Sequence, residues 1–155
     1  MPTVAAAAGT LVATLFFVGC VRISDVDRSA TYPTEYAVGN IYECVRPVFL
    51  ERNGFIVPPG MNGGVPASPK QYFDEGRAHW PDIVAVIPAA TRLVITSVKL
   101  EKNPEVGNSV WVSAEILGIG KTRPADLVFV SLRVHQRKPA AVIPHPNPEF
   151  LRAVP

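Results

Sequence analysis

Ser109-Val110-Trp111-Val112-Ser113-Ala114-Glu115-Ile116-Leu117 is the stretch that decides the architecture. Val110, Val112, Ala114 and Ile116 fall on one side of a two-residue repeat, with Trp111, Ser113 and Glu115 on the other. Successive side chains of a strand point to opposite faces, so this segment reads as a β-strand with one face in a core. Residues 126–135 repeat the pattern, with Val128, Val130, Leu132 and Val134 expected inside and Ser131, Arg133 and His135 outside. Residues 91–100, TRLVITSVKL, alternate only weakly but are β-branched and strand-like. Residues 83–87 form a short apolar strand that ends at the break Pro88-Ala89-Ala90. Turn residues at 103–108 and 118–124 join the later strands, which predicts three successive strands in an antiparallel meander. The expected fold is all-β, a small antiparallel β-barrel or sandwich with long loops.

Composition agrees. The chain of 155 residues holds 16 prolines, about twice the usual share of roughly 5%. Proline is poorly tolerated in helices and central strands, so an all-helical fold is excluded. Charged residues make up 18% of the chain, and 15 basic against 13 acidic residues leave a net charge of +2. No clustered basic face appears, so nucleic acid is not an expected partner. No repeat of fixed period is present.

Working outward, residues 36–50, YAVGNIYECVRPVFL, are a strand candidate with a turn or bulge at Gly39-Asn40 and a break at Pro47. Residues 53–69, with four prolines and four glycines, are expected to be loop for most of their length. A short helical turn is expected within residues 70–81, KQYFDEGRAHWP, limited by Gly76 and Pro81. The last residues, 137–155, carry five prolines and read as an extended tail.

The amino-terminal residues 4–19, VAAAAGTLVATLFFVG, are apolar and precede the first charge, Arg22. The run is shorter than the roughly 20 residues of a membrane span and fits the core of a signal peptide. It ends in Phe17-Val18-Gly19-Cys20, which resembles the lipobox of bacterial lipoproteins. Gly19 and Cys20 stand at its two most specific positions and Val18 is an accepted variant, whereas Phe17 replaces the usual Leu. Residues 1–9 also lack the Lys or Arg with which signal peptides ordinarily open. The resemblance implies cleavage before Cys20, with diacylglycerol and an acylated amino group on that cysteine. It also implies a bacterial envelope location, and Val21 in place of Asp points to the outer membrane, facing the periplasm. The alternative is an uncleaved signal anchor. The domain plan is therefore signal peptide 1–19, lipidated tether 20–35, β domain 36–136 and proline-rich tail 137–155. With Cys20 acylated, Cys44 has no thiol to pair with, and its apolar neighbours predict a buried, inert side chain.

Ile87-Pro88-Ala89-Ala90-Thr91-Arg92-Leu93, followed by Val110-Trp111-Val112, resembles bacterial SH3-like domains. Ala90 stands where that family prefers glycine, and its later Gly-Trp-Val element is missing. The resemblance implies a small barrel and binding of cell-wall glycopeptide or peptide segments.

Chemistry-bearing motifs are few. Gly120-Lys121-Thr122 lacks the glycine a phosphate-binding loop needs five residues earlier, where Glu115 stands, and reads as a hairpin turn. His79, His135 and His145 lack metal-ligand spacing, and no cofactor motif is present. Asp74, Glu75, Arg77 and His79, beside Tyr72 and Trp80, form the one polar–aromatic concentration, next to the glycine-rich segment. Acid–base groups beside a closable loop suit catalysis, and Trp, Tyr and Arg suit an interface. The bland reading is a charged, solvated turn whose aromatics cover the end of the barrel. The expectation is a lipid-anchored, non-catalytic envelope protein. It would bind a protein or cell-wall partner through the 70–80 segment and the outward Trp111. A small periplasmic enzyme using Asp74, Glu75 and His79, and a structural subunit of a secretion or surface assembly docking by its tail, are the alternatives.

Overall fold

The computed structural model describes residues 21–118, 124–128, 131–135 and 141–155, with only the backbone described for 131–135. Cys20 and the lipobox, the centre of the 118–124 turn, Val130, and the side chains of Leu132, Val134 and His135 lie outside the described residues. The described chain is all-β apart from one short helix. In chain order the strands are β1 (Arg22–Asp25), β2 (Ile41–Cys44), β3 (Val48–Glu51) and β4 (Phe55–Val57). Helix α1 (Pro69–Glu75) comes next. It is followed by β5 (Ile83–Ile87), β6 (Arg92–Asn103), β7 (Gly107–Ile116), β8 (Ala125–Leu127), β9 (Ser131–His135), β10 (Ala141–His145) and β11 (Leu151–Val154).

The β6–β7 hairpin is the spine. Val110, Val112, Ala114 and Ile116 are buried, as their spacing predicts, while Trp111 and Glu115 face outward. The weak alternation of β6 has a definite cause. Its register against β7 shifts between Ile95 and Ser97. A bulge of this kind adds one residue, so inward side chains change parity from Leu93 and Ile95 to Val98 and Leu100. The expected meander is present as β6, β7 and β8, all antiparallel.

Two features correct the expectation of a purely antiparallel sheet. β4 pairs with β8, and β10 with β7, in parallel. Parallel neighbours need a long crossover rather than a tight turn, and here the chain returns only after several intervening elements. The main path runs β11-β2-β6-β7-β8-β4-β3-β5, and no pairing closes it among the described residues. Residues 126–135 are also divided between β8 and β9 instead of forming one strand.

The segments read as tether and tail carry strands. β1 pairs with Lys99 to Lys102 of β6, and Tyr32 is buried in the main core. β10 pairs with β7 and β9, β11 pairs with β2, and Ala141, Ile143 and Leu151 are buried. Thr34 Oγ1 donates to the Pro144 carbonyl at 2.9 Å, and His145 Nδ1 lies 3.1 Å from Glu35 Oε1, tying the two segments together. Prolines are accommodated because these strands are short and lie toward the margins of the sheet.

Strands β3, β4 and β5 are covered on both sides. Val48, Ile56 and Ile87 join the main core, and Phe49, Val57 and Ile83 join a second one with Val65, Tyr72 and Trp80. α1 closes this second core. Ser68 caps it, accepting from the Gln71 amide at 3.2 Å, and Pro69 occupies its first turn. Gly76 ends it at φ +80°, its N–H donating to the Tyr72 carbonyl at 3.1 Å. Seven residues are too few for a stable isolated helix. Contact between Tyr72 and Phe49, with ring centroids 6.0 Å apart, holds it in place.

Candidate functional site

The predicted contact residues separate into three groups. Tyr72 and Trp80 are core: their relative exposures are 9% and 8%, and they pack with Phe49, Val57 and Ile83. Trp80 Nε1 has no hydrogen-bond partner. Expecting these two rings to serve as surface anchors is therefore incorrect, because the back face of β3, β4 and β5 needs an apolar cover, which Tyr72 of α1 and Trp80 of the turn after it supply.

Asp74, Glu75, Arg77 and His79 are exposed. Asp74 pairs with Lys70, one helical turn earlier. Glu75 accepts from Gln71 Nε2 at 3.0 Å and lies 3.5 Å from His79 Nε2. The His79 ring sits edge-on to Trp80 at 4.9 Å. These are ordinary solvated i,i+4 contacts. Acid–base catalysis draws on groups held where solvent is excluded, and none of the four lines the grooves described next.

Trp111 is where exposure and geometry meet. Its side chain is 37% exposed on the outer face of β7 and stacks on Phe55 of β4, with centroids 6.1 Å apart and planes 12° from parallel. The registers explain the meeting. Phe55 lies beside Asp126 of β8, and Asp126 lies beside Ser113 of β7, so β4 delivers Phe55 to the same face as Trp111. The Ser113 hydroxyl donates to Asp126 across the β7–β8 ladder and braces this junction. The two rings form a ridge with an open groove on each side. One, of about 370 Å³, is lined by Ile23, Lys99, Glu101, Ser113 and Asp126 with the two rings. The other, of about 460 Å³, borders Glu51, Asn53, Met61, Asn62 and Asp82 with the same rings. A flat aromatic pair flanked by hydrogen-bonding groups can bind an apolar surface while polar rims set its orientation.

Phe55 is the residue that sequence reasoning missed. It lies in the glycine- and proline-rich segment read as loop, although Phe55-Ile56-Val57 is a strand-favouring triplet. That triplet was the available signal for β4. Nothing local could place Phe55 beside Trp111.

Cys44 is buried and free, and burial, reinforced by the Glu43 charge, pushes its thiol up to about 12. A thiol so protonated is a poor nucleophile, which agrees with the inert reading. Burial likewise raises Tyr36, whose hydroxyl lacks a partner and whose ring lies 5.1 Å from that of Tyr42. Among the described residues no group of three His, Cys, Asp or Glu side chains gathers to hold a metal ion, and no helix is long and apolar enough to cross a membrane. No family model matches the chain, and no curated protein or solved structure is significantly similar to it.

Proposed function

We propose that this protein is a lipid-anchored component of a bacterial envelope that binds an envelope protein or a cell-wall segment through the Trp111–Phe55 ridge. The observation that carries the binding reading is the ridge itself: two near-parallel rings, one of them 37% exposed, between two polar-rimmed grooves. An exposed tryptophan backed by a half-buried phenylalanine is the kind of surface that anchors interfaces. The anchoring reading is supported by Gly19-Cys20 after an apolar run without charge. The SH3-like form of the fold belongs to the same proposal. Ala90 holds φ +64° where that family has glycine, the residue suited to such a turn. An outer-membrane, periplasm-facing location follows from Val21 after the cysteine.

Anchoring is tested by growing a two-membrane bacterium that expresses the full chain with labelled palmitate. Label is expected on the wild type and absent from Cys20→Ser, and an unlabelled wild type overturns the lipoprotein reading. Binding is tested by placing a photo-crosslinking residue at Met61, on the exposed rim of the groove beside the ridge, and, separately, at Phe73. A discrete adduct from position 61 but not from 73 is expected. Equal or absent adducts overturn the role of the ridge.

A further inference from the structure

Strand β1 begins two residues after Cys20, at the end of the sheet where β6 turns back into β7. Arg22 lies opposite Lys102, and Asn103 opposite Gly107, so Val21, Arg22, Lys102 and the turn at 104–106 share that end. Large apolar side chains stand in solvent there: Val106 is 77% exposed, Ile23 67% and Val21 50%. Apolar groups clustered in water mark a surface that another phase or partner covers.

Charge at the same end is also unresolved. Arg22 and Lys102 are direct cross-strand partners, and like charges so placed repel. Neither enters an ion pair among the described residues. Glu101 and Glu105, the nearest carboxylates along β6 and its turn, and Asp25 at the far end of β1 do not pair with them either. An anion from outside the chain would relieve that repulsion. The sequence supplies the direction from which it comes. Residues 4–19 are apolar and lead through Cys20 directly into Val21. Whatever holds them at a bilayer brings this end of the sheet to its surface.

We infer that this end is a membrane-docking surface, with Val21, Ile23 and Val106 in the interfacial layer and Arg22 and Lys102 against anionic lipid phosphates. The inference rests on the anchoring reading above. It replaces the tether expected at 20–35 with a domain seated on the membrane by β1. Trp111 is four residues beyond Gly107 on β7, which at ~3.4 Å per residue is roughly 14 Å along the strand. Interfacial burial of about 5–10 Å stops short of the Trp111 ring. Ile23 borders the groove on one side of the ridge, so docking covers the near end of that groove, and the groove beside Asn53, Met61 and Asp82 stays open to a partner.

The test uses the full chain in vesicles of phosphatidylethanolamine with a minority of phosphatidylglycerol. A spin label is attached at Val106→Cys, at Ile23→Cys, or at Phe73→Cys on α1, where the side chain is 69% exposed. Cys44 is buried and Cys20 carries the lipid on the anchoring reading, so neither competes for label, and unchanged circular dichroism confirms that each variant folds. Collision with a water-soluble nickel chelate should be several-fold lower at 106 and 23 than at 73, with collision with oxygen higher. Chains that float with the vesicles yet show 106 as open to the chelate as 73 overturn docking and leave anchoring intact. Chains that do not float overturn both. Equal protection in vesicles of neutral phosphatidylcholine alone overturns the role given to Arg22 and Lys102.

Discussion

The two tryptophans of this chain sit in regions of contrasting composition, and each ends up opposite to what the composition around it suggests. Trp80 follows a mixed-charge helix and ends up 8% exposed, while Trp111 lies in an apolar strand and ends up 37% exposed. Parity explains the second: between buried Val110 and Val112 a strand must turn position 111 outward. No such rule governs the first. Trp80 is buried because β3, β4 and β5 present Phe49, Val57 and Ile83 on the face away from the main core, and that face needs a lid. Aromatic content alone therefore does not identify a contact surface. What decides is which layer lies beneath each ring.

The largest effect expected from this contrast is at the lid. Trp80→Ala should lower unfolding free energy by about 3–5 kcal/mol, as for large aromatic truncations in cores, and urea denaturation measures it. A loss near zero would mean that Trp80 does not pack on Phe49, Val57 and Ile83 as described. Trp111→Ala should reverse the pattern. Its stability cost should stay near about 1 kcal/mol, the scale of one aromatic pair, while the partner crosslink at the ridge disappears. A large stability loss would instead make Trp111 a structural residue.

The polar groups beside the lid come next. Asp74→Asn, Glu75→Gln and His79→Gln together remove two exposed i,i+4 pairs. The combined cost should be less than about 1 kcal/mol by thermal or urea unfolding, with partner binding unchanged. Loss of function at unchanged stability would revive the enzyme alternative.

The smallest effect sharpens the sheet side of the comparison. Ala90 occupies φ +64° in the turn that feeds β6, its amide donating to the Cys44 carbonyl at 2.7 Å. Left-handed backbone costs a non-glycine residue about 1–2 kcal/mol, and glycine gives back about 0.5–1 kcal/mol in chain entropy. Ala90→Gly should therefore stabilise the fold by a few tenths to about 1 kcal/mol, whereas Ala90→Val should destabilise it. The opposite signs are read from paired urea midpoints.

Cys44 adds a pH test of burial in the main core. Its folded thiol is raised from 9.0 to about 12, so the protonated form is the one the fold favours. The associated stability is present below pH 9 and declines as pH rises toward 12. Cys44→Ala should flatten the stability profile over that alkaline window. The thiol should also resist disulfide reagents at neutral pH until the chain is unfolded.

Much of the sheet was legible. The strands at 83–87 and 109–117, the break at Pro47 and the helix stop at Gly76 all follow from local rules, and the structure contains each. The bulge in β6 shows why 91–100 read only weakly: one added residue splits a clear alternation into two halves of opposite parity. The division of 126–135 into β8 and β9, and the recruitment of 141–145 and 151–154 as strands, were not legible. Those segments carry too few residues, or too many prolines, for period two to stand out.

By itself the sequence determined the all-β class, the inward and outward faces of β7 and the inert environment of Cys44. These rest on neighbours along the chain, where periodicity and side-chain chemistry act directly. Only the tertiary structure decided that Trp80 is core, that Phe55 joins Trp111, and that β1, β10 and β11 join the sheet. Each of those depends on pairing between residues far apart in sequence. Such contacts form because an apolar face elsewhere in the fold must be covered, and no local pattern records where that face will be.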